Sequence, residues 1–264
     1  MTGEPIESVG PLGTTDQTTA DSRRRPGWEI MLVLGVSLGE SAVYSILAII
    51  NRMTIGTPLN EQTTSMNQSA TPDRPWLDLS YQLANLVFPL VPALLALYFL
   101  KLSQQRIGFD LKRPRFDILL GVGIAAGIGV PGLVLYFSAR ALGINTNVAP
   151  ANLTANWWTI PVLILAAAMN GILEEVVMIG FFFAKATALR WRVWVIVLVS
   201  ALIRGSYHLY QGFGGFIGNV AMGVLFGMIY LKTRRVGPLV VAHTLMDITV
   251  FVGYSLLAEY TELF

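Results

Sequence analysis

Residues 158–184 read WTIPVLILAAAMNGILEEVVMIGFFFA, an apolar run interrupted only by two adjacent carboxylates. A stretch this long with so little charge needs a bilayer. There only segments that satisfy their own backbone hydrogen bonds survive, which for one segment means an α-helix. Six more apolar stretches lie near 29–50, 79–100, 117–139, 193–210, 214–231 and 237–257. The reading is an all-α protein, a polytopic transmembrane helix bundle of about seven spans. Composition agrees: 54% of residues are hydrophobic and 13% charged, against about a quarter charged in soluble domains. A net charge of +2 gives no argument for a nucleic-acid partner. The chain has no cysteine, which excludes disulfides, Cys-ligated zinc and thiol nucleophiles.

The basic residues predict an orientation. Arg23, Arg24 and Arg25 precede the first span. Lys101, Arg106, Lys112, Arg113 and Arg115 follow the second, Lys185, Arg190 and Arg192 the fourth, and Lys232, Arg234 and Arg235 the sixth. These are 14 of the 18 basic residues, whereas the opposite ends hold only Arg52, Arg74 and Arg140. By the positive-inside rule the N-terminus is cytoplasmic and, with seven spans, the C-terminus lies outside. Trp28, Trp76, Trp157, Trp158, Trp191 and Trp194 fall near span ends, where indoles settle. Residues 1–27 are polar, without an apolar h-region, and read as a disordered cytoplasmic tail rather than a signal peptide. Residues 28–150 then hold the N-terminal transmembrane helices and a polar external loop near 52–77 expected to lack structure. Residues 151–264 form a four-helix core.

Ionisable groups at membrane depth are costly, and they line cavities or pair with one another. Here they are Glu40, Glu174, Glu175, Arg204, His208, His243 and Asp247, and the two histidines are the only ones in the chain. Arg204 and His208 are four residues apart and share a helix face, as do His243 and Asp247. Asn170 sits one turn before Glu174. Glu174 and Glu175 point about 100° apart on a helix, so one can face a cavity while the other braces a neighbouring helix. Two such carboxylates need partners in low dielectric, and Arg204 is the obvious counter-charge. Glu40 is expected to brace packing or to face Arg204. Gly123 and Gly127 form a small-xxx-small pattern that reads as close helix packing. Gly212 to Gly215 read as a tight turn between spans five and six. HExxH, CxxC and Walker motifs are absent.

These residues resemble the CPBP family, also called Abi or CAAX-protease-like proteins. It includes CAAX prenyl endopeptidases and bacterial proteins linked to bacteriocin processing or self-immunity. The family's Glu-Glu-x-x-x-Arg motif is similar to Glu174-Glu175-Val-Val-Met-Ile179, followed by Gly180. Its Phe-x-x-x-His motif matches Arg204-Gly-Ser-Tyr-His208, and His-x-x-x-Asn/Asp matches His243-Thr-Leu-Met-Asp247. The likeness covers about 158–257. Two positions depart from it: Ile179 replaces the first motif's arginine, and Arg204 replaces the second motif's phenylalanine. One account is that the guanidinium has moved to a neighbouring helix and still balances the carboxylates.

The resemblance implies a CPBP-like catalytic core in a multi-pass protein of the bacterial plasma membrane. Its activity would be intramembrane endopeptidase cleavage of a peptide bond by activated water. Glu174 would be the base, assisted by His208, with Glu175 beside it. His243 and Asp247 would orient the water or stabilise the oxyanion, and Arg204 would support the site. An alternative makes Glu174, His208 and His243 ligands of Zn2+, with bound water of pKa near ~7. The substrate would be a peptide or membrane protein, prenylated or not, met in the lipid bilayer. Two other classes stay open: a non-catalytic immunity or assembly factor with the same fold, and a proton-coupled transporter, which the missing internal repeat disfavours. Helix rise places Glu174, His208 and His243 at different depths. A shared site therefore needs span five to be tilted, protruding or broken near Gly205.

Overall fold

The computed structural model describes residues 15–257, and the side chains of 25–256. Ten α-helices build it: α1 (Thr15–Gly35), α2 (Leu38–Thr54), α3 (Pro75–Val87), α4 (Leu90–Leu102), α5 (Pro114–Ala141), α6 (Thr159–Glu174), α7 (Phe182–Ala188), α8 (Val193–Tyr207), α9 (Phe213–Thr233) and α10 (Gly237–Leu257). A π-helical segment, Glu175–Phe181, joins α6 to α7. The polytopic helical bundle expected from the sequence is present. Residues 1–14 of the tail lie outside the described residues, and α1 already begins at Thr15.

Five helical units are long and apolar enough to cross a membrane: Pro75–Leu102, Pro114–Ala141, Thr159–Ala188, Phe213–Thr233 and Gly237–Leu256. The pair α1–α2, bent by 50°, makes a sixth. The seventh expected span is α8, whose 15 residues cover roughly 22 Å, short of the ~30 Å hydrocarbon core. Many large apolar side chains point outward, including Leu94, Tyr98, Leu119 and Val134. Lipid is as apolar as these side chains, so a helix in a bilayer gains nothing by hiding them.

The helix breaks have local causes. At the α1–α2 bend a Cβ on Gly39 would lie 2.6 Å from the Leu34 carbonyl oxygen, so only glycine fits there. Between α3 and α4, Pro89 lacks the N–H that would continue the ladder. The helix α8 runs through Gly205 without a break. Gly205 instead lets α9 approach, since a Cβ there would stand 2.5 Å from Val220. The chain turns only after His208, through a short 3-10 turn (Leu209–Gln211) and Gly212 at φ +118. The turn expected over Gly212 to Gly215 is thus confined to Gly212, and α9 starts at Phe213.

The two ends of the bundle differ. At one end the long loops are joined. Strand β1 (Thr63–Ser65) pairs in parallel with β2 (Asn147–Ala149). Single bridges link Gln68 with Asn152 and Asn145 with Gly212. The loop near 52–77, expected to be without structure, thus belongs to a small ladder, because its backbone finds partners in the loop preceding α6. The other end carries most of the basic residues. There Arg235 donates to Asp117 Oδ1 at 2.7 Å and Oδ2 at 2.6 Å, and to Asp110 Oδ1 at 3.0 Å. Lys185 is not a loop cation but a buried residue of α7. Gly123 and Gly127 do not mediate packing: an added Cβ would meet nothing within 4 Å at either. The close approach lies at Gly121, where Val241 of α10 would be 2.6 Å from a Cβ.

Candidate active site

Glu174 and Glu175 stand where α6 passes into the π-helical segment. Such a segment carries an extra residue per turn and is frequent at functional sites. It leaves the two carboxylates with different environments. Glu174 borders a cleft of about 880 Å³, while Glu175 is fully buried, at 0% exposure.

Around Glu175 the polar groups are tied together. Its Oε1 accepts hydrogen bonds from Arg204 Nη2 and from His243 Nδ1, the latter at 2.8 Å. Arg204, 1% exposed, also lies 3.7 Å from Glu174 Oε2 and over the Phe226 ring at 5.3 Å. The pair of carboxylates is thus balanced by a fixed guanidinium, which stands on α8 rather than at position 179. Ile179 is itself fully buried and apolar. His243 turns its Nε2 towards Asp247 Oδ1 at 3.8 Å, and Asn170 Nδ2 donates to Asp247 Oδ2 at 3.0 Å. A carboxylate accepts and does not donate, so His243 carries its proton on Nδ1.

Glu174 meets a second group. Tyr207 Oη donates to its Oε2 at 2.7 Å, and His208 Nε2 stands 3.7 Å from the same oxygen. Glu174 Oε1 takes part in neither contact. His208 Nδ1 lies 3.5 Å from Gln211 Nε2. An amide NH2 only donates, so Nδ1 accepts and Nε2 bears the hydrogen. That Nε2–H is buried and finds no hydrogen-bond partner among the described residues, which makes it an available donor beside Glu174.

All the singled-out residues but one therefore come together. His208 reaches Glu174 with α8 unbroken through Gly205, so of the three routes named from the sequence the break is excluded and a tilted or protruding α8 is left. The exception is Glu40. It does not meet Arg204 but is exposed on α2 and borders the cleft. The cleft is lined by Asn170, Glu174, Tyr207, His208 and Tyr210 together with residues of α2 and of the α3–α4 break. Glu175, Arg204, His243 and Asp247 stand behind this wall rather than in it. Tyr207 was not singled out from the sequence. Its place immediately before His208 was the available signal.

The zinc alternative can be tested against the donors. Among the described residues, the three groups whose ligand atoms lie within 4.8 Å of one another are Glu174, Glu175 and His243; His208 is not among them. Glu175 Oε1 is already shared by Arg204 and His243. A dication there would sit beside a buried guanidinium with no water to screen the repulsion. The donor set Glu174, His208 and His243 does not fit a metal, and neither does the set that clusters.

A multi-pass helical membrane protein with a carboxylate–imidazole–guanidinium centre beside a cleft at membrane depth is the class these features define. Within it, residues 156–249 match the family model described as Type II CAAX prenyl endopeptidase Rce1-like, and over that segment the resemblance read from the three motifs is borne out. No curated protein and no solved structure gives a significant match to the chain.

Proposed function

We propose that this protein is an intramembrane endopeptidase of the CAAX-protease type that hydrolyses a peptide bond with water activated by Glu174. The observation that carries the reading is the pairing, at the cleft wall, of a carboxylate with an unpartnered imidazole N–H 3.7 Å away. Tyr207 and Arg204 hold Glu174 Oε2, so Oε1 is the oxygen free to take a proton from water. The water oxygen attacks the scissile carbonyl carbon, and its proton passes to Glu174. The oxyanion that forms receives the His208 Nε2 hydrogen bond. Collapse breaks the C–N bond, and the proton held by Glu174 goes to the leaving nitrogen, giving an amine and a new carboxylic acid whose remaining proton then passes to the amine or to solvent.

The roles of His243 and Asp247 shift from those first expected. Neither borders the cleft, so they are positioning residues rather than oxyanion donors. His243 and Arg204 fix Glu175, and Asn170 fixes Asp247. The membrane is proposed to be a plasma membrane and the substrate a peptide or membrane protein. The test is to incubate the reconstituted protein with bilayer-anchored reporter peptides in water enriched in oxygen-18. Mass spectrometry should find a cleaved product whose new carboxylate carries the heavy isotope. Intact reporters throughout the set, with folded protein, would remove the proposal.

A further inference from the structure

His208 stands in the turn after α8 rather than in a helix, so its ring takes its place from whatever holds that turn. Gln211 Nε2 meets its Nδ1 at 3.5 Å. The same amide nitrogen donates to Tyr210 Oη at 3.0 Å. An amide NH2 carries two hydrogens, one for each contact. The Tyr210 hydroxyl in turn donates to Met66 Sδ at 3.7 Å. A thioether sulfur only accepts, so the hydroxyl hydrogen is committed to Met66 and its oxygen is left to accept from Gln211. The sulfur thereby fixes which end of the Gln211 amide faces the imidazole: the NH2 group, not the carbonyl oxygen. Tyr210 also stacks on the His208 ring, with centroids 6.4 Å apart and planes 25° apart.

Both ends of this relay are anchored in the paired loops. Met66 follows β1 directly, and its N–H donates to the Ala149 carbonyl of β2 at 2.8 Å. The Gln211 carbonyl accepts from the Thr146 N–H and from Thr146 Oγ1, each at 2.9 Å. Thr146 Oγ1 lies 2.8 Å from Thr64 Oγ1 of β1, and both threonines are buried. The Tyr210 N–H donates to Ser45 Oγ of α2 at 2.6 Å, and the Gly215 N–H, past the turn, donates to Asn145 Oδ1 at 3.0 Å. The ladder thus grips the backbone of Gln211 and the far end of its hydrogen-bond chain at once.

We infer that Gln211 is a positioning residue for the hydrolysis, with the β1–β2 ladder as its mount. It keeps Nδ1 of His208 bare and so keeps the hydrogen on Nε2, the atom 3.7 Å from Glu174. In the other tautomer Nε2 would turn a lone pair towards the Glu174 carboxylate, and the oxyanion would lose its donor. The inference rests on the hydrolase reading for its consequence, whereas the tautomer can be read without activity.

The chain holds only two histidines. Solid-state NMR of proteoliposomes with nitrogen-15 histidine therefore gives two sets of ring signals. The set lost in His208→Gln and kept in His243→Gln belongs to His208. In the wild-type protein it should show a hydrogen on Nε2 and a bare Nδ1. Gln211→Leu, which only removes the donor, should shift the tautomer ratio towards Nδ1–H by about two- to tenfold, the weight of one neutral hydrogen bond. Gln211→Glu, whose carboxylate only accepts, should place a hydrogen on Nδ1. A hydrogen on Nδ1 in the wild-type protein, or His208 signals indifferent to both variants, overturns the inference. A kinetic arm follows reporter cleavage by Gln211→Leu, where kcat should fall roughly threefold or more with KM held within about twofold, because ring orientation matters to the reaction and not to binding. A tautomer shift with kcat unchanged, or a loss confined to KM, overturns the positioning role. Both tautomer effects in a wild-type protein that cuts no reporter refute the hydrolase reading and leave the Gln211 contact standing.

Discussion

Replacing Arg204 with methionine should be among the most damaging single changes in this protein. The guanidinium is 1% exposed, bonds to Glu175 and lies 3.7 Å from Glu174. Methionine restores most of the volume over Phe226, so the loss is chiefly electrostatic. It leaves Glu175, at 0% exposure, with only His243 as a donor. Removing one partner of a buried ion pair costs about 3–5 kcal/mol, or roughly a hundredfold to a few thousandfold in the folding equilibrium. Neutralising the carboxylate as well should recover much of that. The double variant Arg204→Met/Glu175→Gln is expected to lie ~2 kcal/mol or more above the sum of the single changes, within the range known for directly contacting groups. The assay is reversible unfolding in detergent for the four proteins of the cycle. A single-variant cost within about 0.5 kcal/mol, the size of a surface change, would refute the reasoning. So would additivity within the same margin.

Other outcomes follow from the same contacts. Gly171→Val should destabilise by about 1–3 kcal/mol, because a Cβ there would stand 2.6 Å from Thr244 Oγ1 of α10; Gly123→Ala, with nothing within 4 Å, should leave the thermal midpoint unchanged or raised. The Asp110 carboxyl is held below its ordinary pKa by the Lys112 backbone N–H and by Arg235. A depressed folded-state pKa contributes stability above the unfolded value that is lost as pH falls through the folded one. Asp110→Asn should therefore lower the midpoint near neutral pH, and the gap from wild type should close as the pH falls through the depressed Asp110 pKa, below the ordinary aspartate range; a gap that widens in acid contradicts the assignment. Treatment of the purified protein with a chelator should leave cleavage unchanged, since a dication held by Glu174, Glu175 and His243 would sit beside the buried Arg204 guanidinium. Loss of cleavage on chelation, restored by Zn2+, would reverse that conclusion.

The parts of this structure legible in the sequence are those set by one-dimensional pattern. Apolar runs mark the spans, and the two histidines with Glu174, Glu175, Arg204 and Asp247 mark the centre because charge in lipid needs a partner. What pattern hid was rotation and length. Gly123 and Gly127 fit a packing motif, but the helix turns them outward and offers Gly121 to α10 instead. Residues 193–210 read as an ordinary span, yet α8 stops at Tyr207, and His208 stands in the turn beyond it, 3.7 Å from Glu174. Lys185 read as one more loop cation, although its partner Glu29 lies more than 150 residues earlier, a distance no local rule bridges. Tyr207 stands unmarked between Ser206 and His208 in the sequence, and only the fold shows its hydroxyl on Glu174.

The most direct test is to compare the rate of reporter cleavage by Glu174→Gln and by the wild-type protein in proteoliposomes, with matched unfolding midpoints. Glutamine keeps the shape and still accepts the Tyr207 hydrogen bond, but it is not basic enough to take a proton from water. The expected loss is a hundredfold or more, in the ~10²–10⁴ range of general-base catalysis. A Glu174→Gln protein that folds normally and cuts at the wild-type rate would contradict the account.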